Sequence, residues 1–276
     1  MTRHTLFQST RQALIDDLPD SAAIEAEIIL TTVIPCSRHA LLTDRTSLVD
    51  APVISSIQVM INRRLTGEPL AYILGKAWFY GREFNVSSQV LIPRCDTETV
   101  IQAILDNEKS PRCFFADLGT GSGCIALTLT YEQPAWRGIG IDQSLNAIGV
   151  AATNQNGRIY LVAADLLSAC KPARQFDFIV SNPPYIATAI IPALDAGVRD
   201  FEPRQALCGG IDGLDFYRTL STTVPALLKP GGRIYLEIGY DQKKKVTDLL
   251  HHDFWQDIVC LKDLGDNDRV IIAQHG

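Results

Sequence analysis

Hydrophobic positions in the first 70 residues recur at the spacing of amphipathic helices. Pro19 ends a first apolar-periodic segment, and residues 20–21 can cap a second. Ser37 is a suitable cap for a third, and Gly67 follows a fourth that covers residues 53–65. The pattern therefore predicts a small helical domain over residues 1–72.

Strand-forming residues replace the helical pattern in the next segment. Aromatic and β-branched residues are frequent between positions 71 and 93, and Gly75 and Gly81 interrupt them. This composition predicts a β-hairpin over residues 73–93 that links two domains.

Short apolar runs alternate with amphipathic segments over residues 94–276. The strands are predicted at 113–118, 138–142, 159–163, 176–181, 233–238 and 270–273. The helices are predicted at 96–107, 122–132, 144–155, 213–228 and 241–251. Apolar strands separated by helices predict an α/β domain with a mostly parallel sheet that is covered on both faces.

Composition and charge exclude several classes of protein. The 276 residues are 46% hydrophobic and carry a net charge of −6, so we expect a globular domain without the basic face of a DNA-binding protein. The N-terminus has no signal-peptide pattern, and no apolar stretch approaches about 18 residues, so we expect a cytoplasmic protein without a membrane span. The seven cysteines form no CxxC pair, and adjacent His251 and His252 have poor metal geometry, so no metal is expected.

A glycine loop follows the first strand of the α/β region. Residues 117–123 read Asp-Leu-Gly-Thr-Gly-Ser-Gly, which places Gly119, Thr120, Gly121 and Gly123 before a helix. A dinucleotide-binding loop would need glycine at position 124, and Asp117 at the strand end would repel a pyrophosphate. The same carboxylate favours a cationic amino group. S-adenosylmethionine carries an ammonium and a sulfonium, so the loop predicts a site for this cofactor.

Two more carboxylates follow the next two strands. Asp142, 19 residues after Gly123, is in position to accept both ribose hydroxyls, and Asp165 is in position to accept from the adenine amine while Leu166 packs on the ring. Capping of the following helix is the alternative for either acid. Three acids at successive strand ends are stronger evidence than a glycine loop alone.

The fourth predicted strand ends in Asn182-Pro183-Pro184-Tyr185. Two prolines could simply make a rigid turn, but this leaves the asparagine unexplained. An amide or aromatic amine nitrogen is a poor nucleophile, and two acceptors can hold its NH2 group with the lone pair aimed at a methyl donor. The Asn182 side-chain oxygen and the Pro183 carbonyl are the predicted acceptors, and Tyr185 is predicted to cover the planar group.

The chain resembles the bacterial release-factor glutamine methyltransferases, and the resemblance covers nearly its whole length. It rests on the glycine loop and the Asn-Pro-Pro-Tyr tetrapeptide, and more specifically on further segments: Tyr72-Ile73-Leu74-Gly75, Phe79-Tyr80-Gly81, Val90-Leu91-Ile92-Pro93-Arg94, Asp96-Thr97-Glu98, Phe201-Glu202-Pro203 and Gly265-Asp266-Asn267-Asp268-Arg269.

The resemblance implies a class I methyltransferase domain of Rossmann-like, seven-stranded and mostly parallel type, preceded by a five-helix domain and a β-hairpin. It implies methylation of the glutamine N5 in the Gly-Gly-Gln tripeptide of class 1 bacterial release factors, with no direct role for nucleic acid. It also implies that the helical domain of residues 1–72 recognises the substrate by helping to grip the release factor. It also implies cofactor contacts from the glycine loop, Asp142, Leu166 and Asn182. The family often has tryptophan where Leu166 stands, so adenine stacking is expected to be weaker or replaced. It usually has proline where Cys95 stands, so the entry to the next helix is expected to be less rigid, with Arg94 still in place.

Residues around Arg94 also allow a structural interpretation, in which Asp96 caps a helix and Glu98 is a favourable first-turn acid. Other functions remain open: methylation of a ribosomal-protein glutamine, methylation of DNA adenine, or a binding module without activity. The acidic N-terminal region disfavours DNA, and the intact carboxylates and tetrapeptide disfavour the binding module.

Overall fold

The computed structural model describes residues 1–168, 170–171, 173–251 and 254–276. His252, one of the two adjacent histidines that the sequence predicts to be a poor metal site, lies outside these residues. The chain forms two units: Met1–Gly75 with Ala196–Phe201, and Lys76–Asp195 with Glu202–Gly276. Substrate recognition by residues 1–72 stays a prediction.

The first unit is helical. Its helices are α1 (Arg3–Leu14), α2 (Ala22–Val33), α3 (Arg38–Thr43), α4 (Ala51–Leu65), α5 (Leu70–Leu74) and α9 (Ala196–Arg199), numbered through the whole chain. Ser37 caps α3 as predicted, because its Oγ accepts from the Ala40 backbone N–H at 3.1 Å. The apolar faces of α1, α2 and α4 meet around Leu14, Ile29 and Ile57, which are fully buried.

Helix α5 corrects the predicted start of the strand-rich segment. The sequence pattern assigned residues 72–74 to strand formers, but they are helical. Pro69 precedes the helix, and Gly75 ends it in the left-handed conformation at φ 71°. Five residues between a proline and a glycine are too few to show a helical period, so propensity alone misled the prediction.

A two-stranded antiparallel hairpin opens the second unit. It consists of β1 (Lys76–Phe79) and β2 (Arg82–Asn85), joined by Tyr80 and Gly81, which both have positive φ. Such a two-residue turn matches the twist of the flanking strands. The Glu98 carboxylate accepts from the Tyr80 backbone N–H at 2.7 Å, which ties this turn to the following helix. Residues 90–92, expected as strand, are not in a strand.

The main sheet has seven strands in the order β5-β4-β3-β6-β7-β9-β8. The strands are β3 (Phe114–Leu118), β4 (Arg137–Asp142), β5 (Ile159–Ala163), β6 (Phe176–Ser181), β7 (Leu228–Glu237), β8 (Trp255–Lys262) and β9 (Asp268–His275). The first five in the sheet order are parallel, and β9 pairs antiparallel with β7 and β8. The predicted α/β class and mostly parallel sheet are confirmed.

Strand β8 did not appear in the hydrophobic pattern. It is an edge strand with an irregular register between Gln256 and Val259, and Asp257 has φ 50°. An edge strand exposes much of its length, so its side chains do not alternate cleanly between apolar and polar.

The helices of the second unit are α6 (Glu98–Asn107), α7 (Cys124–Glu132), α8 (Leu145–Thr153), α10 (Asp215–Thr223) and α11 (Lys243–Leu250). The helix predicted at 213–228 is too long, because a 3₁₀ turn at Val224–Ala226 follows α10 and β7 begins at Leu228. One face of the sheet centres on Phe115 and Phe178, whose rings stack 4.9 Å apart. This packed sheet brings the carboxyl ends of β3, β4 and β6 to one edge.

Candidate active site

The loop after β3 needs its glycines. Gly119, Gly121 and Gly123 all have positive φ, at 71°, 55° and 81°. Residues with a Cβ rarely adopt this conformation, so the spacing of the three glycines follows from the backbone path. The Gly119 and Thr120 backbone N–H groups donate to the Ile141 carbonyl at 2.8 and 2.9 Å, which fixes the loop against β4.

Asp117 lies beneath this loop and is fully buried. Its Oδ2 accepts from the Thr120 hydroxyl at 2.7 Å and from the Ala126 backbone N–H at 3.3 Å, while its Oδ1 has no partner among the described residues. Burial raises the pKa of this carboxyl to about 7, against the hydrogen bonds that lower it. A buried carboxylate with an unsatisfied oxygen suits a cationic ligand, so the residue fits S-adenosylmethionine.

Asp142 joins the glycine loop to the next helix. Its Oδ2 accepts from the Gly121 backbone N–H at 3.0 Å, and its Oδ1 accepts from the Ser144 backbone N–H at 2.9 Å. The N-cap of α8 is Ser144, whose Oγ accepts from the Ala147 N–H at 3.2 Å, so Asp142 is not the cap residue. A carboxylate has about four lone-pair sites, so both oxygens retain capacity for ligand hydroxyls.

Asp165 and Leu166 form a turn after β5 rather than the start of a helix. Asp165 is exposed, and its backbone oxygen accepts from the Ser168 N–H at 3.0 Å. Leu166 has φ 45°, a conformation that is uncommon for a bulky residue and concentrates at binding sites. Both residues line the same cleft as the glycine loop.

Sheet register brings the Asn-Pro-Pro-Tyr loop to the glycine loop. Ser181 pairs with Leu118 across β6 and β3, and its Oγ donates to the Leu118 carbonyl at 2.8 Å. A Cβ built on Gly119 would lie 4.0 Å from the Asn182 carbonyl oxygen. The Asn182 side-chain Nδ2 donates to the Thr97 Oγ1 at 3.1 Å. The two motifs that the sequence singled out are therefore neighbours.

A glycine-rich segment supports the tetrapeptide from outside. Ile186 bridges to Cys208 in parallel register, and the Gly209 N–H donates to the Ile186 carbonyl at 2.9 Å. The Gln242 side-chain Nε2 donates to the Tyr185 carbonyl at 3.0 Å. Sequence reasoning missed these supports, although three glycines within residues 209–213 were a signal for close backbone approach.

The predicted site residues divide into two groups. Those that line the cleft are Gly119, Thr120, Gly121, Asp142, Asp165, Leu166, Asn182 and Pro184. Four others do not line it, namely Asp117, Gly123, Pro183 and Tyr185. Tyr185 is half-buried, and burial raises the pKa of its phenol to about 12, so the ring stays neutral.

The structure confirms only one part of the capping interpretation around Arg94, because Glu98 is an acid in the first turn of α6. Arg94 lines the cleft and pairs with Glu202, whose side chain is almost fully buried. Asp96 does not cap α6, because Thr97 precedes this helix and the Asp96 carboxylate pairs with Arg269 at 3.3 Å. The cap prediction for Asp96 is wrong because a 3₁₀ turn at Cys95–Thr97 comes before the helix.

The cleft has further walls beyond the predicted site residues. They come from the segment after the hairpin, from the start of α7 and from residues 203–206. Within the described part of the chain, no cluster of three or more histidine, cysteine or acidic side chains could hold a metal. None of the described helices is long and apolar enough to cross a membrane.

Comparison with known proteins agrees with this arrangement. Residues 5–75 match the PrmC N-terminal domain model, and residues 82–192 match the methyltransferase small domain model. A methyltransferase structure from Pyrococcus furiosus aligns with a TM-score of 0.53 and 16% identity, over 80% of this chain and 99% of the other. The fold is therefore that of a methyltransferase.

Two relatives are similar over almost their whole length. A release factor glutamine methyltransferase of Koribacter versatilis is 37% identical over 99% of this chain and 99% of its own. One of Geobacter sulfurreducens is 36% identical over 97% of this chain and 94% of its own. The chain belongs to the release factor glutamine methyltransferase family, and both family and fold imply S-adenosylmethionine-dependent catalysis.

Proposed function

We propose that this protein methylates the N5 side-chain amide of the glutamine in the Gly-Gly-Gln tripeptide of class 1 bacterial release factors. The observation that carries the proposal is the shared cleft, which the glycine loop, Asp142 and Asn182 all line. The full-length similarity to release factor glutamine methyltransferases supports the choice of substrate. The proposed site of action in the cell is the cytoplasm.

S-adenosylmethionine supplies an electrophilic methyl group when it is bound. We propose that its charged groups and ribose hydroxyls are held by Asp117, Asp142 and the glycine loop. Its adenine base is proposed to contact Asp165 and Leu166. Asp117 does not line the cleft, so its proposed contribution is the charge of its buried carboxylate. Its Oδ1 has no partner among the described residues, and a nearby cation would stabilise it.

Asn182 is proposed to hold the glutamine NH2 group. Its Nδ2 already donates to Thr97, so its Oδ1 is the end available to accept from a substrate amide. A second acceptor, proposed to be the Pro183 carbonyl, would fix both N–H bonds and hold the nitrogen in line for attack. Pro184 and Tyr185 are proposed to contact the substrate chain and the planar amide.

The two proposed acceptors, the Asn182 Oδ1 and the Pro183 carbonyl, also compensate for the weak nucleophilicity of the amide nitrogen. Because positive charge grows on the nitrogen during transfer, oxygens aimed at its hydrogens stabilise the transition state more than the ground state. A base cannot help much before attack, since a neutral amide N–H is a very weak acid. The surplus proton is lost to water once the nitrogen is methylated.

Methyl transfer from radiolabelled S-adenosylmethionine to a purified release factor tests the proposal. The matched substrate carries alanine in place of the tripeptide glutamine. Label on the wild-type factor only is the expected result. Equal labelling of the two factors would place the methyl elsewhere, and no labelling of either would reject the substrate.

Asn182→Ala tests the role of the loop in the same assay. We expect turnover to fall by about 100-fold or more, in the range seen when one transition-state acceptor or donor is removed. The affinity for S-adenosylmethionine should change much less. Asn107→Ala is the matched control, since it also removes an amide hydrogen bond, from Nδ2 to the Ala103 carbonyl at 2.8 Å, but lies outside the cleft. Equal turnover in Asn182→Ala and wild type would remove the amide-clamp model.

A further inference from the structure

A charged side chain lies buried behind Asn182. Glu237 ends β7 with 1% of its surface exposed, inside an otherwise apolar run of that strand. Its Oε2 has no hydrogen-bond partner among the described residues. Thr97, 2% exposed, lies next to it and accepts from the Asn182 Nδ2 at 3.1 Å. A buried, incompletely satisfied carboxylate is costly, so it indicates a role beyond packing.

Polar and charged side chains from several elements surround Glu237 and influence the pKa of its carboxyl. Hydrogen bonds from the Thr97 and Asn182 side chains and the charge of Arg269 on β9 lower the pKa of the Glu237 carboxyl, and Asp96 raises it. The Tyr217 hydroxyl donates to the Glu237 backbone carbonyl at 2.7 Å and so does not satisfy the carboxylate. Burial is the largest influence and raises the pKa of Glu237 to about 7.

An ionised carboxylate can only accept hydrogen bonds, and this restricts the orientation of its neighbours. The two ends of an asparagine amide have nearly the same shape, so partners decide which end points where. Beside an ionised Glu237, the Asn182 amide must present its NH2 end. If the Thr97 hydroxyl donates to Glu237, it has only lone pairs left for Asn182, which again selects the NH2 end.

We propose that Glu237 and Thr97 are positioning residues that hold the Asn182 amide with its oxygen directed toward the substrate nitrogen. This inference rests on the proposed function and deepens it. Neither residue touches the reacting atoms. Their effect is to prevent a flip of the Asn182 side-chain amide that would exchange its oxygen and nitrogen. Such a flip would direct two donor hydrogens at the substrate NH2, and the positive charge that grows on the substrate nitrogen would not be stabilised in the transition state.

Protonation of Glu237 would remove this restriction on the orientation of the Asn182 amide. A protonated carboxyl can donate to the Thr97 oxygen, and the Thr97 hydroxyl can then donate to the Asn182 Oδ1 instead of accepting from Nδ2. Turnover of the wild-type enzyme should therefore fall as the pH decreases through the pKa of Glu237. The affinity for S-adenosylmethionine should not follow the same curve.

Three variants test the inference: Glu237→Gln, Thr97→Val and Thr97→Ser. Glutamine keeps the shape of Glu237 but can donate or accept, and valine keeps the shape of threonine without its hydroxyl. We expect both variants to lower kcat for release-factor methylation by about 3- to 10-fold, the effect of one net hydrogen bond. Thr97→Ser should restore kcat to within about twofold. Glu237→Gln should also lose the acid limb of the kcat profile measured from pH 5.5 to 9.

A second measurement does not depend on turnover. The side-chain NH2 hydrogens of Asn182, assigned in ¹⁵N NMR spectra by their loss in Asn182→Ala, should exchange slowly with water in the wild type. They should exchange faster in Thr97→Val, because a buried acceptor has been removed. Thermal unfolding and calorimetric affinity for S-adenosylmethionine provide the structural controls.

Wild-type kcat in Thr97→Val or Glu237→Gln would overturn the inference, as would an acid limb that persists in Glu237→Gln. A loss of kcat that only parallels a loss of folded protein would overturn it too. If the wild type does not methylate the release factor at all, the proposed function fails. In that case the exchange rates decide the positioning role: fast exchange of the wild-type Asn182 hydrogens rejects it and slow exchange supports it.

Discussion

Replacing Gly209 by alanine should displace the Asn-Pro-Pro-Tyr loop, although Gly209 itself does not line the cleft. A Cβ at position 209 would lie 2.6 Å from the Pro184 carbonyl oxygen and 2.8 Å from the Tyr185 Cα. Both neighbours are backbone atoms, so no side chain can swing aside to make room. Ordinary contact begins at 3.4 Å, so one of the two segments has to move by about 0.8 Å.

The expected effects follow from that movement. Overpacking of this kind costs about 1–3 kcal/mol of folding free energy. A displacement of nearly 1 Å in a group that positions substrate can cost about 100-fold in rate. We therefore expect Gly209→Ala to reduce kcat by about 10- to 100-fold while the folded fraction at 25 °C stays high.

The assay is methyl transfer to the release factor, with chemical unfolding measured in parallel. Gly149→Ala is the matched control, because this glycine lies within α8 and an added Cβ would meet nothing within 4 Å. Alanine there should raise stability by up to about 1 kcal/mol and leave kcat unchanged. Wild-type turnover in Gly209→Ala would refute the reasoning that the 207–213 segment sets the position of the tetrapeptide.

Two further predictions concern the acids at the strand ends. Asp142→Ala should weaken S-adenosylmethionine binding by about 1–3 kcal/mol, since one strong charged hydrogen-bonding site is lost; unchanged calorimetric affinity would leave Asp142 with only its contacts to the Gly121 and Ser144 N–H groups. Asp117→Asn should flatten the pH dependence of the ligand-free stability. Burial raises the pKa of Asp117 from 3.8 to about 7. The protonated side chain therefore contributes to the free energy of unfolding below pH 4, and this contribution is lost as the pH rises through 7. Urea unfolding at pH 5 and pH 8 gives the free energy of unfolding of each protein at the two pH values. An equal change in this free energy between pH 5 and pH 8 in the wild type and in Asp117→Asn would contradict the prediction.

Local chemistry explains which parts of the fold the sequence predicts. The glycine loop could be placed because Gly119, Gly121 and Gly123 each need a conformation that other residues avoid. The buried strands β3 and β6 were visible as apolar runs. Helix α5 and strand β8 were not, because the first is too short to show a period and the second is an irregular edge strand.

The candidate site shows the same division. Asp117, Asp142 and Asn182 could be chosen because each lies within one residue of the end of a predicted strand, and the ends of parallel strands share one edge. The supports of Asn182 could not be chosen, since Thr97 and Glu237 lie 85 and 55 residues away along the chain. One signal existed: Glu237 is a charged residue in an apolar strand, which is unusual unless the charge has a partner or a role.

The pairing of Ser181 with Leu118 has a consequence for how such enzymes change over time. The glycine loop and the Asn-Pro-Pro-Tyr loop begin directly after paired residues of neighbouring strands, so the hydrogen bonds of the sheet set the distance between the starts of the two loops. Surface segments that do not contact the two loops can therefore change in length and sequence while this distance is preserved. Selection for a new methyl-acceptor protein could therefore act first on these surface segments and leave the residues of the two loops unchanged.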